Sequence, residues 1–451
     1  MDSIGAAQRQ VRDATAELGA WAAGVRWEQV PATARERMQL VLLDSLGVTV
    51  LGARQPEQRA LAGAWRPGAG PAPLIGAGRC TSVEAAAWLN ATALVRLELD
   101  EGHKYAKGHP GAHGLPAVLA LAADLGSTGP DTAAALLVGY EVAARFGRAT
   151  SLRAGAHPHG SWGVAGAAAG CARLLGATPE QLAAAIDTGA GMPVAGHFAS
   201  ALDGNPVRDA WMAAANLAGL ASARLAVSGV ARNTGTAATS LGGLLGAFDP
   251  APLTEELGTR WDVEHGYFKR HASCSFTHPV ADAVLDLRPQ LPGDPAAVEE
   301  VIVETHSLGA GLDRTGWDSR LAALFSTPFV VAAALVHGHV RPEASLGAGT
   351  ADDPRVVALA RRVSVRVAAD LDARLPAERA ARVTVRAGGA EHVREVPNPI
   401  GDAAHHPLDE ADVLALLAGW LGDDAALAVV REVAAGLPGA ADVAPLLRRL
   451  A

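Results

Sequence analysis

A chain of 451 residues, 49% of them hydrophobic, is long enough for more than one domain and apolar enough to bury a large core, which excludes a disordered polymer. A formal charge of −9, with 19% charged residues and no run of Lys or Arg, excludes an extended phosphate-binding face. Only 4% of residues are aromatic while Ala, Leu, Val and Gly dominate, so the expected fold class is mainly α, with helices packed closely through small side chains.

In chain order, the first dozen residues mix Asp2, Gln8, Arg9 and Arg12 with small side chains and lack the apolar run of a secretory signal. From residue 14 to about 262, apolar positions recur at helical spacing between Gly and Pro breaks, without the sustained β-branched alternation of strands. Residues 31–51 place Leu40, Leu43, Leu46, Gly47 and Val50 on one face, and residues 179–188 open on Pro179-Glu180, a helix-compatible start. The texture changes after Phe268. Residues 298–306 read as a strand, residues 362–367 alternate Val363, Val365 and Val367 with Arg362, Ser364 and Arg366, and residues 382–396 read as a hairpin around Gly388-Gly389. The apolar stretch 325–336 predicts a helix covering one face of an antiparallel sheet, which makes this second, smaller domain α+β. Past Gly401, Asp409 is placed to cap closing helices that run through Leu414, Leu417 and Trp420 to Leu447.

The longest apolar runs, 132–138 and 330–336, fall short of the roughly 20 residues a bilayer requires. Cys80, Cys171 and Cys274 are odd in number and far apart, which suits reduced thiols better than a disulfide framework. The expectation is a soluble cytoplasmic protein with no nucleic-acid partner and no membrane.

Polar chemistry concentrates in three places. The first runs Glu98-Leu99-Asp100-Glu101-Gly102-His103-Lys104 and continues into His109-Pro110-Gly111-Ala112-His113, a loop between two apolar helical segments. The same residues would also suit a solvated interhelical loop. His103, His109, His113 and the carboxylates are potential metal ligands, but neither a His-Glu-x-x-His helix nor a Cys-x-x-Cys pair occurs, so no metal is expected. The second cluster, His157-Pro158-His159-Gly160-Ser161-Trp162-Gly163, leads into a small-residue helix whose free N–H groups would favour an anion near Ser161. The third is Lys269-Arg270-His271, followed by Cys274 and His278. Its lysine suits an anion, and its bland alternative is a basic turn at a domain boundary. Arg208, after Gly204-Asn205-Pro206, has the fork geometry for a carboxylate, although such an arginine is more often a surface helix residue. Walker A, Gly-x-Gly-x-x-Gly and Gly-x-Ser-x-Gly patterns are missing, so no cofactor is demanded.

The order of these blocks resembles the MmgE/PrpD superfamily over nearly the whole chain. The matching blocks are Leu43-Asp44-Ser45-Leu46-Gly47-Val48, the acidic and His-Pro-Gly loop from Glu98 to Pro116, and Gly139-Tyr140-Glu141-Val142-Ala143 with Arg145. They continue with His157 to Gly163 and its Ala-rich helix, and with Lys269 to Ala283. Each block alone is weak, whereas the ordered series is specific.

The resemblance implies a helical domain built from residues 1–265 and 402–451, an α+β lid domain of residues 266–401, and a homodimer. It implies a cofactor-independent lyase acting on a small carboxylate substrate. Loss of water is ranked first, decarboxylation of an unsaturated tricarboxylate second and epimerisation third. A carboxylate-binding protein of the same fold is the non-enzymatic alternative. His109, His157 and Lys269 fall on the catalytic positions, and Glu98, His103, Arg208, Cys274 and His278 on the substrate-binding ones. Glu98 stands where Asp is usual, Gly102 where a hydroxyl residue is found, and Arg208 where lysine is frequent, so the family's named substrates do not transfer directly.

Overall fold

A computed structural model describes residues 2–342 and 352–451. Local signals start several of the helices where capping chemistry predicts. Thr178 accepts from the Gln181 N–H while Gln181 returns a bond to the Thr178 N–H, opening the helix Pro179–Ala190. Asp409 and Asp412 form the equivalent pair ahead of Glu410–Leu421. The first helix, Asp2–Gly24, starts well before residue 14. The apolar stretch at 325–336 begins its helix at Thr327, because Ser326 caps it and Pro328 suits its first turn.

The helical part is organised around Val164–Leu174, which packs against Pro110–Leu125, Gly129–Ala149, Pro179–Ala190 and Val207–Val227. Small residues permit this crowding. A Cβ on Gly166 would stand 2.4 Å from the Gly139 carbonyl oxygen, and one on Gly219 would stand 2.2 Å from the Ala167 Cβ. Val207–Val227 is long and apolar enough to cross a membrane, but 56% of its most apolar window is buried among these neighbours, as in a core helix. The cysteines Cys80, Cys171 and Cys274 are unpaired.

Among the described residues, one apolar core collects side chains from Val11 to Ala272 and again from Leu408 to Leu450. The closing helices Glu410–Leu421 and Asp424–Gly436 lie on Ala32–Ala53. A second core lies between Val280 and Val396. There a four-stranded sheet runs in the order Ala390–Val396, Ala381–Ala387, Val298–Thr305, Val363–Val367. The hairpin turns at Gly388 and Gly389, both at positive φ. One expectation is corrected: the sheet is mixed, because Val363–Val367 pairs in parallel with Val298–Thr305. The long intervening segment carries the helix Thr327–His337 and returns the chain in the same direction, as a parallel pairing requires.

The passages between the two cores run side by side. Gly102 and His103 pair with Tyr267 and Gly266, Tyr267 bridges to Asp402, and the Phe268 N–H donates to the Gly401 carbonyl at 3.2 Å. The acidic loop is thereby stitched to the crossing strands.

Candidate active site

Leu97 and Leu99 are buried anchors that fix the loop after the helix Val83–Val95. Glu98 between them takes a left-handed conformation at φ +54, which costs roughly 1–2 kcal/mol for a residue with a Cβ. Its carboxylate is gripped from two sides: Arg208 forms a very close ion pair with Oε1, and the Lys269 Nζ lies 3.2 Å from Oε2. The same Nζ is 3.5 Å from Asp100 Oδ1. Burial alone would lower the Lys269 ammonium, but Asp100 and Glu98 raise it above its ordinary value. Burial pushes the Asp100 carboxyl up, yet His109, Lys269 and Arg208 outweigh it and hold the group well below the usual carboxylate range.

Four imidazoles surround this anionic pair. The His109 Nδ1 donates to the Glu101 carbonyl oxygen at 2.6 Å and lies 3.0 Å from Asp100 Oδ2, so Nδ1 carries the proton and neutral His109 has its lone pair on Nε2. His157 has the opposite polarity. Its Nδ1 accepts from the His159 N–H at 3.1 Å, which leaves the proton on Nε2. Burial and then Arg208 lower the His157 imidazolium well below its ordinary range, and the same two causes keep His159 neutral. Arg208 lies 3.2 Å from both ring nitrogens of His159. His113 ties the loops together, donating from Nδ1 to the His109 carbonyl at 2.8 Å and accepting the Gly160 N–H at 3.1 Å. Burial pulls it down to about 4.

Glu98, His109, His157, His159, Arg208 and Cys274 open onto one small pocket of about 50 Å³, whose wall also includes Lys107, Tyr267, Arg379 and the rings of Phe198, Phe276 and Phe325. The free space equals one or two waters, at about 30 Å³ each. Of the predicted site residues, Lys269 stands behind the wall, holding Glu98 and Asp100. His103 turns away, accepting the Ala106 N–H at 3.0 Å and facing Asp262 at 3.7 Å; burial lowers it to about 4. His278 also lies outside, with Nε2 3.2 Å from the Ser273 carbonyl and its ring against His271. Burial and then Glu98 raise the Cys274 thiol to about 11, which argues against a thiolate nucleophile. Ser161 spends its hydroxyl on the Pro158 carbonyl at 2.6 Å rather than on a ligand. Sequence reasoning did not select His159 and Arg379. His159 lies within the cluster His157–Gly163, and Arg379 reaches the pocket from 275 residues beyond Lys104, whose carbonyl accepts from its NH2.

Asp100, His109 and His159 offer ligand atoms within 4.8 Å of one another. The set suits a divalent cation poorly, since Arg208 contacts His159 and Lys269 contacts Asp100, two fixed positive charges at the spot an ion would take.

Glu101 supports the site from below. Oε1 accepts the Gly111 N–H at 2.7 Å, capping the helix Pro110–Leu125, and Tyr140 donates to Oε2 at 3.1 Å. A Cβ on Gly111 would crowd Oε1 at 2.7 Å. Burial raises the Glu101 carboxyl from 4.5 to about 7, so the folded chain keeps a proton that the unfolded chain releases. The resulting stabilisation is complete below about pH 4.5 and is lost as pH rises through about 7. Glu101→Gln is therefore expected to flatten the fall of Tm with pH across that interval. Melting curves at several pH values check this, and an unchanged slope would assign the dependence to another group.

Residues 16–254 match the MmgE/PrpD N-terminal domain, and residues 271–419 match the MmgE/PrpD C-terminal domain. A cis-aconitate decarboxylase of Aspergillus terreus is 27% identical over 473 residues, covering 97% of this chain and 95% of that protein. A cis-aconitate decarboxylase-like protein of Aspergillus oryzae is 30% identical over 311 residues, 64% of each chain. With both domain models in order along most of its length, the chain belongs to the MmgE/PrpD family.

Proposed function

We propose that this protein is a cofactor-independent lyase that removes water from a small hydroxy-polycarboxylate by taking a proton next to a carboxylate. One observation carries the reading: two pocket imidazoles of opposite polarity, His109 with a lone pair on Nε2 and His157 with a proton on Nε2. An elimination uses both. The C–H proton passes to His109 Nε2, and the Asp100 carboxylate stabilises the imidazolium. The released electron pair forms the C=C bond and expels the hydroxyl. His157 donates a hydrogen bond to that oxygen as a neutral imidazole, the oxygen recovers the proton held on His109, and water leaves. Arg208, whose buried Nε has no protein partner, holds the carboxylate next to the reacting carbon and spreads the charge that develops there.

A second reading has its own support in the similarity to cis-aconitate decarboxylases over 97% of the chain. In that case carbon dioxide departs and an imidazolium returns one proton to the carbanion. Incubation with citrate, 2-methylcitrate and cis-aconitate distinguishes the two, with alkene absorbance and carbon dioxide release followed together. Alkene without gas supports dehydration, gas from the unsaturated acid replaces it with decarboxylation, and inertness towards all three acids overturns the lyase reading for these substrates.

A further inference from the structure

The cations around the pocket are not equally balanced. Arg208 is paired with Glu98 and Asp209, Lys269 with Glu98 and Asp100, and Lys104 with Asp402, while Lys107, which also lines the pocket, is exposed and donates to the Thr150 carbonyl at 3.4 Å. Arg379 has neutral partners. Its NH1 donates to the Ser275 hydroxyl at 3.2 Å and its NH2 to the Lys104 carbonyl at 3.1 Å, and no carboxylate pairs with it among the described residues. The residue is only 7% exposed and lines the same pocket as Arg208. An arginine cannot shed its proton, and a buried charge without a counter-charge is costly. Its backbone is held firmly: the Arg379 N–H donates to Asn398 Oδ1 at 3.1 Å, and Lys104 donates to the nearby Ala377 carbonyl at 2.9 Å. The pocket wall thus presents a preorganised guanidinium, set over the rings of Phe276 and Tyr267 and without a carboxylate partner among the described residues, with spare fork donors, carried by the segment just before the strand Ala381–Ala387.

We propose that Arg379 binds a second carboxylate of the substrate, making it the residue that selects di- and tricarboxylates over monocarboxylates. The proposal rests on the carboxylate-lyase reading and extends it. One carboxylate lies at Arg208 in the helical core, the other at Arg379 beside the sheet, and the ligand bridges the two parts. Because the pocket holds only about 50 Å³ of free space, such a ligand enters by parting these walls and is then clasped by both.

The test measures binding to the full chain by titration calorimetry, with propane-1,2,3-tricarboxylate as an unreactive tricarboxylate and butyrate as the monocarboxylate. The parent is expected to prefer the tricarboxylate by about tenfold or more. Arg379→Gln is expected to weaken it about 10–100-fold and leave butyrate unchanged, and Arg379→Lys to recover part of the loss. Circular dichroism checks the fold of each variant, and if the Gln variant does not fold, the Lys variant decides with the same two ligands. Equal losses for both ligands, no loss for either, or no tricarboxylate preference in the parent overturns the proposal. A parent that turns over polycarboxylates with a KM indifferent to Arg379→Gln sinks this inference alone. An inert parent whose tricarboxylate selectivity depends on Arg379 sinks the lyase reading alone.

Discussion

His109→Gln is expected to keep the fold and lower kcat about 10²–10⁴-fold, the usual contribution of a positioned acid–base group. A glutamine amide can still donate to the Glu101 carbonyl oxygen that His109 Nδ1 now contacts at 2.6 Å, so the loop keeps its anchor. What disappears is the basic Nε2 and the imidazolium that Asp100 would stabilise from 3.0 Å. Steady-state kinetics with matched melting curves check this. Exchange of the substrate's C–H proton with deuterated solvent should vanish in parallel. Activity within about threefold of the parent, with exchange intact, would move the base elsewhere. His157→Gln should behave differently, slowing elimination while proton exchange continues, because it removes the donor to the leaving oxygen and not the base.

Lys269→Met is expected to cost about 3–5 kcal/mol of stability, the penalty for breaking a buried ion pair from one side. The lysine is fully buried, and its ammonium stands between Glu98 and Asp100, so its removal strands two carboxylates near each other. Adding Asp100→Asn to Lys269→Met should recover part of that loss by removing one of the two like charges. Urea unfolding of the parent and of the single and double variants measures both effects. A loss below about 1 kcal/mol would mean that Arg208 alone suffices to hold Glu98.

Much of the fold can be read from local pattern because its signals are short-range. The Thr178 and Asp409 caps, the Gly388-Gly389 turn and the alternation through Val363 and Val365 all act within a few residues. The early start at Asp2 and the parallel pairing of Val363–Val367 escaped that reading, since residues 4–10 are exposed or half-buried and carry no apolar face, and a long crossover sets the second. The site divides in the same way. His109 and His157 were recognisable from Gly- and Pro-punctuated motifs, and His159 stood in one of them unremarked. His103 and His278 belong to equally dense clusters, but their rings serve the loop at Ala106 and the carbonyl of Ser273 instead.

By itself the sequence determined the helical and α+β composition, the ordered blocks that mark the family, and the acids and imidazoles gathered at the candidate site. Each of these is a matter of residue type at short spacing, where propensity, capping and motif order operate. Only the tertiary structure decided that Lys269 holds carboxylates behind the wall, that His109 and His157 line the pocket with opposite polarity, and that Arg379 reaches it without a carboxylate partner among the described residues. Burial, tautomer and charge balance depend on which distant segments meet, and that is settled when the acidic loop is stitched to the two crossing passages at Tyr267 and Asp402.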